Sequence, residues 1–278
     1  MAHVEPLRTN FPRFIYGTAW KEELTAELTR QALDAGFRAI DTANQRRHYV
    51  ESAVGAAVAS FLEHTGTERD ALFLQTKFTY ARGQDHRLPY DPKADFATQV
   101  SQSFASSLEH LRTTYVDAYL LHGPATGRGL TDADRSVWRA MERLARDGKA
   151  RRLGLSNVSL EQLELFVREA EIAPAFVQNR CYASTGWDRD VRAFCRAHDI
   201  AYQGFSLLTA NARELRAPAV ERAARRTGRT PAEVVFRFAL EVGMIPLTGT
   251  SSAEHMRRDL ACEHFTLAPE EIAAIEQL

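Results

Sequence analysis

Between residues 41 and 51 the chain reads Asp-Thr-Ala-Asn-Gln-Arg-Arg-His-Tyr-Val-Glu. A carboxylate, an imidazole, a phenol and two guanidinium groups crowded together suit proton transfer. Phe37-Arg38-Ala39-Ile40, just before, reads as a short buried strand, and Ser52–Val58, just after, opens an apolar helix. Asp41 therefore sits at the carboxyl end of a strand, and His48 and Tyr49 lie in the loop that follows. In parallel α/β proteins that edge is where active sites are built. Two further strands end in reactive groups, Thr76-Lys77 and His122-Gly123-Pro124. A buried Lys77–Asp41 pair would polarise a phenol or imidazole in the same pocket and make it a better proton donor. The plainer alternative is a capped strand end with solvated polar residues around it.

The elements that must hold these groups follow from the pattern. Strands are expected at 14–18, 37–41, 72–77, 116–121, 152–155, 176–177, 200–203 and 244–247. Helices are expected at 22–35, 50–63, 94–111, 134–146, 160–170, 190–197, 219–226, 231–241, 253–260 and 269–278, from apolar spacing such as Leu24, Leu28, Ala32 and Ala35. Gly36 caps the first, and Thr230-Pro231 starts the eighth. A long polar loop, 78–92, interrupts the short connections, and loops of that length in compact domains usually serve function. Strict alternation of strand and helix means a parallel sheet, and eight units mean a closed (β/α)8 TIM barrel, an α/β fold. A single domain over residues 1–278 is the simplest organisation. Asp41, Lys77, His122, Ser156, Asn157, Gln178, Phe205 and Thr248 then ring one mouth.

Bulk properties narrow the function. Net charge is -1 over 278 residues, which gives no footprint for nucleic acid or an anionic membrane. The arginines at 222, 225, 226 and 229 have the spacing of a solvated helix face. Cys181, Cys195 and Cys262 are few and widely spaced, which fits a reducing compartment and no structural metal site. Met1–Pro6 contains no apolar signal core, and no apolar run is long enough to span a bilayer. A cytoplasmic protein, a monomer or weak homo-oligomer, is expected. There is no His-Glu-x-x-His, no complete nucleophile elbow, no Walker motif and no Gly-x-Gly-x-x-Gly. A bound dinucleotide would therefore not lie on a Rossmann fold.

At this point the chain resembles the aldo-keto reductase superfamily. The matching pieces are Gly17-Thr18-x-Trp20, Ala35–Ala43, Glu51-x-x-Val54-Gly55, Thr76-Lys77, Tyr115–Pro124, Gly154–Asn157, Val177–Asn179 and Ile245–Met256. The resemblance implies reduction of an aldehyde or ketone by hydride transfer from NADPH. Asp41 and Lys77 would be the ion pair, and His122 would orient the substrate carbonyl. Ser156, Asn157 and Gln178 would hold the nicotinamide carboxamide, and Phe205 would stack on its ring. Gly17, Thr18, Asp41, Ser206, Leu208, Thr248, Gly249, Thr250, His255, Arg258 and Asp259 complete the implied cofactor path.

Two departures from the family pattern matter. The proton-donating tyrosine normally stands five residues after the aspartate and three before the glutamate. Here the interval from Asp41 to Glu51 is two residues longer. Counting forward reaches Arg46, and counting back reaches His48. Either Tyr49 swings into the donor position or His48 takes the role; alternatively, Tyr49 is only the first apolar contact of the next helix. The second departure concerns the cofactor. The lysine and arginine that grip a 2′-phosphate align with Leu247 and His255, so NADH stands beside NADPH as the expected cofactor.

Trp20, Tyr80 and His86 are expected to wall the pocket for a small carbonyl substrate, with Tyr90 and Trp187 as further candidates. An imine or C=C reductase with an altered donor stays open, as does a non-catalytic NAD(P)H-binding sensor.

Overall fold

The computed structural model describes residues 11–278. The expectation for Met1–Pro6 falls outside the described residues. Eight parallel strands close into a barrel in the order of the chain, β1 to β8. They are β1 (Ile15–Gly17), β2 (Ala39–Asp41), β3 (Phe73–Phe78), β4 (Ala118–Leu121), β5 (Leu153–Ser156), β6 (Phe176–Arg180), β7 (Ala201–Phe205) and β8 (Met244–Thr248). The helices are α1 (Thr25–Ala35), α2 (Glu51–Thr65), α3 (Phe96–Leu111), α4 (Asp132–Arg146), α5 (Leu160–Glu169), α6 (Arg189–Ala197), α7 (Pro218–Thr227), α8 (Pro231–Glu241), α9 (Ala253–Ala261) and α10 (Pro269–Glu276). The α/β barrel expected from strict alternation is the fold observed.

Within the chain two compact units can be distinguished, Tyr16–Val177 and Gln178–Leu278 with the described residues up to Ile15. In the first, Gly17 pairs with Asp41, Asp41 with Gln75, and Lys77 with Leu120. This register brings the ends of β2, β3 and β4 to one level, which is why Asp41, Lys77 and His122 are neighbours despite their separation in sequence. Gly55 makes the outer packing close. A Cβ there would lie 1.9 Å from the His110 carbonyl oxygen, so α2 and α3 approach through the missing side chain. Gly36 ends α1 at φ 114°, a conformation that favours glycine.

In the second unit β7 pairs with β8 through Tyr202–Met244 and Gln203–Ile245. The indole of Trp187, fully buried, donates to the Ile275 carbonyl at 2.8 Å and ties α10 down. Thr230 caps α8 with Pro231 at its first position, as the sequence indicates.

Several boundaries differ from the sequence reading. Strand β3 gains one residue, Phe78, while β6 and β7 run on through Arg180 and Phe205, past polar or glycine positions that read as loop. Gln178 and Gln203 are buried and satisfy each other, with Gln178 Nε2 donating to Gln203 Oε1 at 2.8 Å, so amides can continue a strand. Helix α4 begins two residues earlier than expected because Thr131 and Asp134 form a reciprocal capping box.

Candidate active site

The first unit holds the proton-active cluster. Lys77 Nζ donates to Asp41 Oδ1 at 2.6 Å, to Asp41 Oδ2 at 2.7 Å and to the Thr42 carbonyl at 2.9 Å. Gln75 Nε2 donates to Asp41 Oδ1 at 2.6 Å. The lysine side chain is fully buried and the aspartate 3% exposed. Burial pulls the Lys77 ammonium below its ordinary value, while Asp41 opposes that shift. A buried charge pair of this kind persists only with its remaining protons and lone pairs satisfied, as they are here.

The lengthened loop after β2 folds back on itself. The Gln45 carbonyl accepts from both His48 N at 3.2 Å and Tyr49 N at 3.0 Å, so the extra residues are taken up in one turn. Beyond this turn the two donor candidates part. The Tyr49 ring stands 5.3 Å from Lys77 Nζ and 6.0 Å, edge to face, from the His122 ring. The His48 ring stacks at 3.8 Å on Trp20, and its Nδ1 pairs with Gln45 Oε1 at 2.8 Å. Burial, and secondarily the Asp41 charge, push the Tyr49 phenol well above its ordinary value. The expected effect of the ion pair was a more acidic phenol; desolvation and the carboxylate drive it the other way, and the proton stays on oxygen. Burial, with the positive charges of Lys77 and His48, holds His122 well below the usual imidazole range, so it is neutral. His48 is lowered as well, by burial first and then by Arg47.

Behind this cluster lies a chain that the sequence reading missed. Thr76 Oγ1 donates to Glu51 Oε1, Glu51 Oε2 pairs with His110 Nδ1 at 3.2 Å, and His110 Nε2 pairs with Arg46 at 2.9 Å. A guanidinium only donates, so Nε2 accepts and the ring proton faces Glu51. Arg46, which occupies the tyrosine's place when counted from Asp41, is thus turned toward α3. The only signal was the run Ser103, Ser107 and His110 at helical spacing. Thr79 was missed too; its hydroxyl lies 2.7 Å from His122 Nδ1.

The pocket candidates divide. Trp20 is 68% exposed, held at φ 61° with its amide donating to the His48 carbonyl. His86 is exposed on the loop 78–92. Tyr80 is buried between Phe78 and Phe96, and its hydroxyl donates to Asp134 Oδ1 at 3.0 Å. Tyr90 is also committed, to the Thr79 carbonyl at 2.7 Å, and Trp187 to Ile275. The polar handle of each of these three has an internal partner.

The cofactor candidates of the first unit are Gly17, Thr18, Ser156 and Asn157. Thr18 is buried and bonds the Asp41 carbonyl through both its amide and its hydroxyl. Ser156 is buried at the end of β5, and Asn157 follows it exposed at φ 52°, its amide donating to the His122 carbonyl at 2.8 Å. In the second unit Phe205 is half-buried with the Arg180 guanidinium 5.6 Å over its ring. Ser206 follows at φ 57°, and Leu208 is half-buried. Ser252 caps α9, its Oγ accepting from His255 N at 3.3 Å. Gly249 is exposed and Thr250 half-buried in the hydroxyl-rich segment leading into that helix. Thr248 donates to buried Asp259 at 2.8 Å, and Arg258 is paired with Glu254 at 2.7 Å. His255 is exposed. Hydroxyls and amides leading into a helix N-terminus suit a phosphate, so the donor set fits a dinucleotide. Leu247 and His255 supply no fixed cation beside it.

Comparison with known proteins agrees with this fold. The sequence model of the Aldo/keto reductase family matches residues 14–278. An aldo-keto reductase of Mycobacterium avium is 31% identical over 92% of this chain and 82% of its own length. Glyoxal reductase of Bacillus subtilis is 26% identical over 91% of this chain and 82% of its own. The crystal structure of an aldo/keto reductase from Brucella melitensis superposes with a TM-score of 0.80 at 26% identity, covering 96% of this chain and 95% of that one. Barrel and relatives converge: the chain belongs to the aldo-keto reductase family and is an oxidoreductase acting on carbonyl compounds.

Proposed function

We propose that the protein is an NAD(P)H-dependent reductase of small aldehydes or ketones, with Tyr49 as its proton donor. The observation that carries this reading is the position of the Tyr49 ring beside both Lys77 and His122, while the His48 ring is engaged by Trp20 and Gln45. A relative named glyoxal reductase supports a small carbonyl substrate.

A bound dihydronicotinamide supplies a hydride to the carbonyl carbon. The protein supplies the rest. In the first unit Ser156 and Asn157 carry groups suited to a carboxamide; in the second, Phe205 offers a ring face and the segment from Thr248 to Ser252 carries hydroxyls suited to phosphates. Lys77 holds Asp41 and keeps a positive charge under the forming alkoxide, which lowers the cost of the charge that develops there. His122 orients the carbonyl oxygen. Tyr49, its phenol kept protonated by burial, gives up the proton only as negative charge grows on that oxygen.

Among the described residues no helix is long and apolar enough to cross a membrane. The three cysteines are buried thiols without a disulfide, which supports a reducing, cytoplasmic setting.

Loss of NADPH absorbance with a panel of small aldehydes, ketones and imines tests the reading. Turnover on aldehydes or ketones, reduced by roughly 10²–10⁴ in Tyr49→Phe, is expected. Tight cofactor binding without turnover on any of them would point to a sensor instead.

A further inference from the structure

Thr79 is the first residue beyond β3, two positions after Lys77. It is 6% exposed and fixed on two sides. Its carbonyl accepts from Tyr90 Oη at 2.7 Å. Its methyl is covered by the turn at Ala81–Gly83, where a Cβ on Gly83 would lie 2.8 Å from Thr79 Cγ2. That turn is itself held by Gln45, whose Nε2 donates to the Gly83 carbonyl at 2.7 Å. With carbonyl and methyl both committed, the hydroxyl is left facing His122 Nδ1 at 2.7 Å, its one partner among the described residues.

Two proton arrangements satisfy that distance. If Nδ1–H donated to the hydroxyl, the threonine proton would be buried without an acceptor, and orphaned buried donors are costly. If the hydroxyl donates to the Nδ1 lone pair, the threonine proton is used, and the ring carries its own proton on Nε2, free for a substrate oxygen. The neutral state of His122 comes from its burial and the cations beside it.

We propose that Thr79 is a positioning residue that locks His122 as the Nε2–H tautomer, so that the imidazole is a second hydrogen-bond donor to the substrate carbonyl oxygen. The proposal rests on the reductase reading above. It also gives the long loop 78–92 a purpose. Through Tyr90 and Gly83 the loop aims one hydroxyl, and through that hydroxyl it sets which ring nitrogen can donate.

The test uses the full protein with its histidines isotope-labelled at the ring nitrogens, the His122 signals being assigned by their loss in His122→Gln. Thr79→Val keeps the shape and removes the hydroxyl; Thr79→Ser restores it. The wild type is expected to show a protonated Nε2 and a hydrogen-bonded, unprotonated Nδ1. In Thr79→Val the Nδ1 signal should move to that of a lone pair without a donor, kcat/KM should fall about tenfold, the effect of one lost hydrogen bond, and NADPH affinity should hold. Thr79→Ser should recover both signal and rate. A protonated Nδ1 in the wild type would overturn the proposal, and so would a Thr79→Val enzyme as fast as wild type despite the altered signal. If no variant turns over any carbonyl, the reductase reading fails, while the ring-nitrogen spectrum still reports the tautomer.

Discussion

Both carboxylate oxygens of Asp41 lie within 2.7 Å of Lys77 Nζ, in a pair that solvent barely touches. The third ammonium proton goes to the Thr42 carbonyl, so none is directed at Tyr49, and Lys77 acts on the phenol by charge alone. Removing one partner leaves the other buried and uncompensated. Asp41→Asn and Lys77→Met should therefore each destabilise by about 3–5 kcal/mol. The double variant should cost clearly less than the sum, because it leaves no orphaned charge. Urea unfolding of the four proteins measures this. Additive costs would mean that the two side chains contribute independently.

Tyr49 and His48 are adjacent in sequence but face different surroundings, so their variants should separate. Tyr49→Phe keeps the ring beside His122 and removes the proton; carbonyl reduction should fall by roughly 10²–10⁴, the usual worth of a general acid. His48→Gln should keep activity within about tenfold, since its ring packs on Trp20 and pairs with Gln45. Steady-state kinetics with one aldehyde decide it. A Tyr49→Phe enzyme of undiminished kcat would reject the assignment.

The barrel was legible because alternating strand and helix signals survive any local irregularity, and Asp41, Lys77 and His122 were legible as neighbours because each lies within one residue of a strand's carboxyl end. The loop 41–51 was not. Its two extra residues shift the counting, and only the turn closed by the Gln45 carbonyl shows how Tyr49 regains the neighbourhood of Lys77. Arg46 was unreadable for a related reason, since its partner His110 lies on a helix far along the chain. Tyr80, expected as a pocket wall, could not be told from a packing residue in the sequence, because its contacts with Phe96 and Asp134 come from distant parts of the chain. Thr79 gave no signal at all, because a threonine after a strand is ordinary until its hydroxyl is seen against an imidazole.

Cofactor preference follows from the segment after β8. Leu247 carries no charge, and Arg258 is held by Glu254. Exposed pairs of this kind are weak, yet no guanidinium is fixed at the position of His255. Dissociation constants for NADPH and NADH should lie within about tenfold of each other. Leu247→Lys should tighten NADPH by about tenfold through one charge-assisted contact to the 2′-phosphate, leaving NADH unchanged. Fluorescence titration measures both. A wild-type preference for NADPH of a hundredfold or more would show that another cation already grips the phosphate.

Asp259 makes a prediction about pH. It is 5% exposed, and burial raises its carboxyl to about 7, with Glu233 adding to the rise and the Thr248 hydroxyl opposing it. The folded protein thus keeps a proton on this group that the unfolded chain releases above its ordinary value of 3.8. More protons are bound in the folded state between those two values, so stability from this residue is full below the lower one. It declines by about 1.4 kcal/mol per pH unit as pH rises toward the higher one, and is level beyond it. Asp259→Asn keeps an acceptor for Thr248 Oγ1 and carries no ionisable proton. The variant should match the wild type near pH 4 and exceed it by a few kcal/mol near pH 8. Chemical denaturation at the two pH values measures the difference. An equal gap at both would mean that the Asp259 carboxyl does not titrate between the folded and unfolded values, and that its burial beside Thr248 acts through packing instead of charge.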